Sequence, residues 1–196
     1  QKEGVCRQVT DLQNKAFELL EIFVGICEKW DIPYFLVCGS ALGTVKYQGF
    51  IPWDDDLDIV MLRKDFRRLG RVMRKLSSEE YVFHSMATDI DYVYAFAKFR
   101  KRSGEVDEGH RRSRYYKYKG QFIDIFSIEK TNYFAARASS IIYNNLQHLT
   151  SYVRWSWLRR PLIALVNILC FGIVIPILRL IGLINPRGEY HYSLGS

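Results

Sequence analysis

The stretch 49–61, Gly-Phe-Ile-Pro-Trp-Asp-Asp-Asp-Leu-Asp-Ile-Val-Met, constrains this chain more than any other part of it. It places Asp54, Asp55, Asp56 and Asp58 within five positions at the entrance to an apolar run. Like charges this close repel one another, and a folded chain that keeps them calls for a counter-charge. With a strand over 56–61, alternate side chains share a face. Asp56 and Asp58 then face a cleft or solvent, while Leu57 and Ile59 enter the core. Two carboxylates on one face of a rigid strand make a hard-oxygen pair suited to Mg²⁺ or Mn²⁺. The alternative is an acidic turn that leads into an ordinary strand, and the residues upstream argue against it.

Those residues are Gly39 and Ser40. An apolar run at 34–38 reads as a buried strand, and a short helical turn over 41–47 follows the Gly-Ser pair. Glycine lets a backbone approach a ligand closely, and a helix N-terminus offers free N–H groups and a positive dipole end, so the turn suits a phosphate. Ser40 has no nucleophile-elbow context and reads as a phosphate contact. Downstream, Asp124 lies between Ile123 and Ile125 in a strand over 121–128. It is the natural third carboxylate, as a metal ligand or as the base for an attacking hydroxyl, unless it simply faces water. Asp54 and Asp55 precede the acidic strand and are expected to orient the loop and support the ligands from behind.

The rest of the chain reads as alternating elements. Thr10 and Gln13 form a capping box, and Leu12, Ala16, Leu19, Leu20, Phe23, Cys27 and Trp30 recur at helical spacing until Asp31-Ile32-Pro33. A basic helix follows over 63–76, with Leu62, Phe66, Leu69 and Met73 on its apolar face. Aromatic and β-branched content predicts strands at 81–86 and 92–99, then a polar basic loop over 100–119 and a helix from 133 to about 157. This order indicates an α+β domain with a mixed sheet flanked by helices: a catalytic core over 1–130 and a helical extension over 131–196.

Composition limits the partners. The chain has 196 residues, 48% of them hydrophobic, with a formal net charge of +7, so it can bury a core and suits an anionic partner. Between residues 98 and 119 there are nine Lys or Arg against three Asp or Glu. Lys98 and Arg100, at the end of a strand, are the candidates there for contact with a phosphate or an anionic acceptor. No RNA-binding motif accompanies the basic loop, so nucleic acid is not expected. Cys6, Cys27, Cys38 and Cys170 have no zinc spacing and read as reduced, structural residues, as in the cytosol. The polar residues 1–3 carry no secretory signal, and the finish at residues 194–196 reads as that of a fragment.

The run from Cys38 to Met61, Cys-Gly-Ser-Ala-Leu-Gly-Thr-Val-Lys-Tyr-Gln-Gly-Phe-Ile-Pro-Trp-Asp-Asp-Asp-Leu-Asp-Ile-Val-Met, resembles the LicD/fukutin family of phosphotransferases, which has the nucleotidyltransferase fold. Phe122-Ile-Asp-Ile-Phe126 resembles that family's second acidic strand, and the resemblance covers roughly residues 8 to 130. It implies metal-dependent transfer of a phosphocholine-like group from a CDP-linked donor such as CDP-choline to a hydroxyl of a cell-surface glycan or its lipid-linked precursor. Asp56, Asp58 and Asp124 would hold Mg²⁺ or Mn²⁺. Gly39 and Ser40 would meet the donor phosphates, and Lys46 matches the family's basic position. A nucleotidylyltransferase would use the same parts, and so would a non-catalytic cation- or nucleotide-binding module.

Residues 161–178 carry no charge and sit between Arg159-Arg160 and Arg179; the apolar extension runs over 161–184. Eighteen residues are marginal for a spanning helix, which needs about 20, and Asn167, Gly172 and Pro176 interrupt the run. Three readings follow: a helix lying in the membrane interface, a helix buried in the domain, or a span. The basic flank favours an anionic cytoplasmic leaflet, which places the protein peripherally at the inner face of the cell membrane.

Overall fold

The computed structural model describes residues 10–131, 133–184 and 190–192. The expectations for residues 1–3, Cys6 and residues 194–196 lie outside the described residues.

The first helix, α1 (Asp11–Lys29), starts at the capping box. The Gln13 N–H donates to Thr10 Oγ1 at 3.2 Å, and the Thr10 N–H donates to Gln13 Oε1 at 2.9 Å. Ala16, Leu19, Phe23 and Cys27 form its buried stripe, while Leu12 is exposed. The strand expected over 34–38 shrinks to β1 (Phe35–Leu36). It is not buried: Phe35 is 60% exposed, because β1 forms the edge of the sheet. Then α2 (Cys38–Tyr47) begins earlier than the spacing predicts, so Gly39 and Ser40 lie in its first turn rather than ahead of it. The acidic strand β2 (Asp58–Leu62) begins at Asp58, which leaves Asp56 in the preceding loop. Next, α3 (Arg63–Leu76) has the expected bounds and buries Phe66, Leu69, Val72 and Met73.

β3 is Tyr81–His84 and β4 is Ala97–Lys101. Residues 92–96, expected in a strand, do not pair; the Tyr92 ring instead packs 4.4 Å from that of His84 in the interior. Arg100, expected to open the basic loop, belongs to β4 and is fully buried. β5 (Phe122–Lys130) alternates strictly at its start: Ile123 and Ile125 are buried and Asp124 faces the other way. The long helix expected to residue 157 breaks after α4 (Tyr133–Thr150), where Thr150 Oγ1 donates to the Gln147 carbonyl. α5 (Ser156–Leu169) then runs through a π-turn, Cys170–Val174, into α6 (Ile175–Ile184). A last strand, β6 (Tyr190–Tyr192), has no counterpart in the sequence reading.

The six strands form one mixed sheet in the order β1-β2-β5-β4-β3, with β6 also on β5. Only β2 and β5 are parallel, with Asp58 opposite Asp124. The fold is therefore α+β, as expected. A core of Ile59, Met61, Phe99, Ile123 and Ile125 meets the apolar faces of α1 and α3.

The helical extension is fastened to this core by buried polar contacts. Arg159 pairs with Asp91 at 3.0 Å, and the two are 3% and 2% exposed. Tyr143 OH donates to the Val93 carbonyl at 2.6 Å. Asn167, an interruption in the apolar run, accepts from Gln147 Nε2 at 2.7 Å and so ties α5 to α4. Removing one partner of a buried ion pair leaves the other charge uncompensated. Asp91→Ala should therefore lower the unfolding free energy by about 3–5 kcal/mol in urea titration, while Lys15→Ala, at an exposed pair with Asp11, should cost under about 1 kcal/mol.

Candidate active site

The carboxylates enter the site from three directions. Asp58 sits at the first position of β2, and Asp124 lies beside it on β5, their register fixed by the parallel ladder. The Asp124 N–H donates to the Leu57 carbonyl at 2.8 Å, which holds the start of the ladder. Asp54, Asp55 and Asp56 come from the preceding loop, and their oxygens lie within 4.8 Å of one another. Among the described residues this is the one group of three or more acidic, His or Cys side chains drawn that close. Asp56 thus belongs to the close loop group, whereas Asp58 and Asp124 lie beside each other on β2 and β5 and outside that group; Asp56 is exposed and the other two are half-buried.

Two devices hold the loop. A Cβ on Gly39 would overlap the Asp54 carboxylate oxygen, so glycine lets the first turn of α2 lie against that group without displacing it. Ser40 is buried, and its hydroxyl accepts the Asp58 N–H at 2.8 Å, locking α2 to the strand that carries the carboxylate. Gln13 supplies the second device. While its carbonyl oxygen serves the capping box, its amide donates to the carbonyls of Asp54 at 2.8 Å and Ile51 at 3.3 Å. The capping box is legible in the sequence; this second use of its glutamine is not.

The counter-charge comes from β4. Lys98 Nζ donates to Asp124 Oδ1 at 2.7 Å and lies 3.3 Å from Glu108 Oε2, over the ring of Phe122. Arg100 pairs with the same Glu108 and donates to the Tyr118 carbonyl at 2.6 Å. Being fully buried and so occupied, Arg100 reaches the site only through Glu108, which corrects its expected place at the surface of the loop. Glu108 itself was missed, because nothing in a basic loop marks one acid as an anchor. Lys46 lies exposed in the last turn of α2, beside Tyr47 and outside the lining of the cleft. The cleft holds about 470 Å³ and is lined by Asp55, Asp56, Asp124, Glu108 and Lys98, with Tyr94, Phe96 and Phe122 as apolar walls.

Crowding shows in the proton affinities. Burial, then the charges of Asp124, Asp56 and Asp54, push the Asp58 carboxyl up to about 6. Burial raises Asp124 as well, against the pull of Lys98. Partial desolvation raises Asp56, helped by Asp55 and Asp54. Burial would also raise Glu108, but Lys98 and Arg100 more than offset it and hold it below the usual range. Such a set can bind a cation, or accept a proton at neutral pH.

The profile described as LicD/FKTN/FKRP, nucleotidyltransferase domain, matches residues 31–153, which span this entire arrangement except Gln13. The chain belongs to the LicD family. It is 35% identical over 117 residues to the lipopolysaccharide cholinephosphotransferase LicD of Haemophilus influenzae, across 58% of this chain and 42% of that protein. It is also 34% identical over 71 residues to an uncharacterized protein of Rickettsia prowazekii, across 35% of this chain and 27% of that one. The chain thus spans less than half the length of these relatives.

Asp58 provides a test of the crowding. Its carboxyl is raised from 3.8 to about 6, so its contribution to stability is complete below about pH 4 and is lost as pH rises through 6. In metal-free buffer Asp58→Asn should raise the melting temperature at pH 7, and the gain should vanish near pH 4.

Proposed function

We propose that this chain carries the catalytic machinery of a transferase that moves a phosphocholine-like group from a CDP-linked donor, such as CDP-choline, to a hydroxyl of a cell-surface glycan or its lipid-linked precursor. One observation carries the reading: within the LicD-family region, Asp124 lines a cleft together with Asp55, Asp56 and Lys98, and Asp58 stands beside it on the parallel strand. Phosphoryl-type transfer asks for alignment and charge neutralisation more than for covalent catalysis.

The donor set fits Mg²⁺ or Mn²⁺, since it offers hard carboxylate oxygens, and burial first and then the neighbouring carboxylates raise Asp56, Asp58 and Asp124. These three would hold the ion, with Asp54 and Asp55 supporting them from the loop. The ion, when bound, supplies charge neutralisation at the donor diphosphate. Asp124 is the group in place to take the proton of the attacking hydroxyl, and Lys98 fixes its carboxylate through the 2.7 Å bond. Lys98 also offers a cation to the transferred phosphate. Gly39 and Ser40 shape the donor side of the cleft by holding the acidic loop and Asp58. Lys46 would reach donor phosphate from the rim, and Arg100 stiffens Glu108 and, through it, Lys98. A nucleotidylyltransferase would differ in releasing pyrophosphate rather than CMP.

The purified chain, given Mg²⁺, a panel of CDP-alcohols and a lipid-linked glycan, should release CMP. Asp58→Asn and Asp124→Asn should each lower that release by roughly 10²-fold or more while circular dichroism stays unchanged. Near wild-type release from Asp124→Asn would remove it from the chemistry.

The place of this reaction is the inner face of a membrane. The helix Ser156–Leu178 is long and apolar enough to cross a membrane by length and composition, yet one stripe of it, including Ile163, Val166 and Cys170, is buried against the core. The opposite stripe, with Leu165, Ile168, Ile173 and Ile177, is exposed, and Trp155, Trp157 and Arg160 flank it. A spanning position would have to pull Arg159 away from Asp91, so the exposed stripe suits a helix lying in the interface. The protein should co-sediment with anionic vesicles and less so as salt rises, each basic residue near the surface adding about 1 kcal/mol. Ile173→Glu with Ile177→Glu should release it without unfolding, because both side chains are exposed. Binding that ignores salt and lipid charge would rule out the interfacial position.

A further inference from the structure

A second cavity, of about 890 Å³, lies between α4 and the segments around residues 93–96 and 110–112. It shares Tyr94, Phe96 and His110 with the acidic cleft, so the two cavities meet at one aromatic wall. Their charge is opposite. No carboxylate lines the second cavity among the described residues, whereas Arg111, Arg112 and Arg137 do.

Arg112 is the decisive residue. It is 7% exposed, and its Nη2 donates only to neutral groups, the Gln147 carbonyl at 2.6 Å and Thr150 Oγ1 at 2.9 Å. Its Nη1 is buried with no hydrogen-bond partner, and among the described residues no carboxylate lies within ion-pair distance of it. The contrast with Arg159 and Arg100, each buried against an acid, is direct. A buried guanidinium without a counter-ion is costly, and an anionic ligand removes the cost. Aromatic walls beside the cations suit the flat apolar face of a sugar ring.

We propose that this cavity binds the acceptor, as a saccharide that carries a negative charge, with its anionic group at Arg112, Arg111 and Arg137 and its reactive hydroxyl directed past Tyr94, Phe96 and His110 toward Asp124. The assignment rests on the transferase reading of the neighbouring cleft. The donor diphosphate and its cation need carboxylates, which only the acidic cleft provides; the anionic end of the second substrate needs their absence.

The test uses the whole chain with glucose 1-phosphate, glucose and CMP as probes, followed by saturation-transfer NMR, and with inorganic phosphate against chloride at matched ionic strength in thermal melts. Glucose 1-phosphate should bind with or without EDTA, at least about tenfold more tightly than glucose, the effect of roughly one charge-assisted hydrogen bond. Phosphate should raise the melting temperature. Arg112→Met should abolish both effects. Should that variant fail to fold, the exposed pair Arg111→Gln with Arg137→Gln should weaken glucose 1-phosphate about tenfold. Equal binding of glucose, indifference to the arginine substitutions, or complete displacement of glucose 1-phosphate by CMP would each overturn the assignment. Arginine-dependent binding of glucose 1-phosphate in a chain that releases no CMP would uphold the cavity and overturn only the transferase reading.

Discussion

Five carboxylates, Asp54, Asp55, Asp56, Asp58 and Asp124, meet at one end of a two-strand parallel ladder, and the surrounding structure is organised against their repulsion. The nearest response is the chain of alternating charges Asp124, Lys98, Glu108 and Arg100, which runs from the cleft into the interior. Each charge is paired with the next, so the innermost one, Arg100, is fully buried against Glu108. Breaking the chain at Glu108 would leave Arg100 buried without its carboxylate, while Lys98 keeps Asp124. The second response is mechanical: Gly39, Ser40 and Gln13 fix the backbone of the acidic loop, so the carboxylates cannot relax by moving apart.

The parallel pairing of β2 with β5 gives this arrangement its precision. In a parallel ladder the register advances residue by residue, and one slip would turn Asp124 into the core and Ile123 or Ile125 out to the cleft. Burial of those two isoleucines therefore fixes the position of the acid between them. The apolar core and the polar site are two faces of the same nine-residue strand.

Much of this was legible in the sequence. α3 follows from its apolar stripe, the start of α1 from its capping box, and the site from the Asp-rich run and the alternation around Asp124. What stayed hidden depends on contacts distant in the chain. Lys98 and Arg100 look alike as basic residues at the end of a strand, and only tertiary pairing separates the one at the cleft from the one behind it. Residues 92–96 have strand composition, but their aromatic rings are spent on His84 and on the walls of two cavities. At the break after Thr150 the side chain is held by contacts with Gln147 and Arg112, the latter distant in the chain, and β6 is too short to have a pattern.

Gln13 has one more consequence. Helix ends are where native structure opens most readily, by local fluctuation that leaves the rest of the fold intact. Here the first turn of α1 grips the Asp54 carbonyl through the same side chain that closes the cap. Fraying of that turn and loosening of the acidic loop are thus one cooperative event. A substitution at the helix cap is therefore felt at the backbone that carries the first carboxylate of the acidic run.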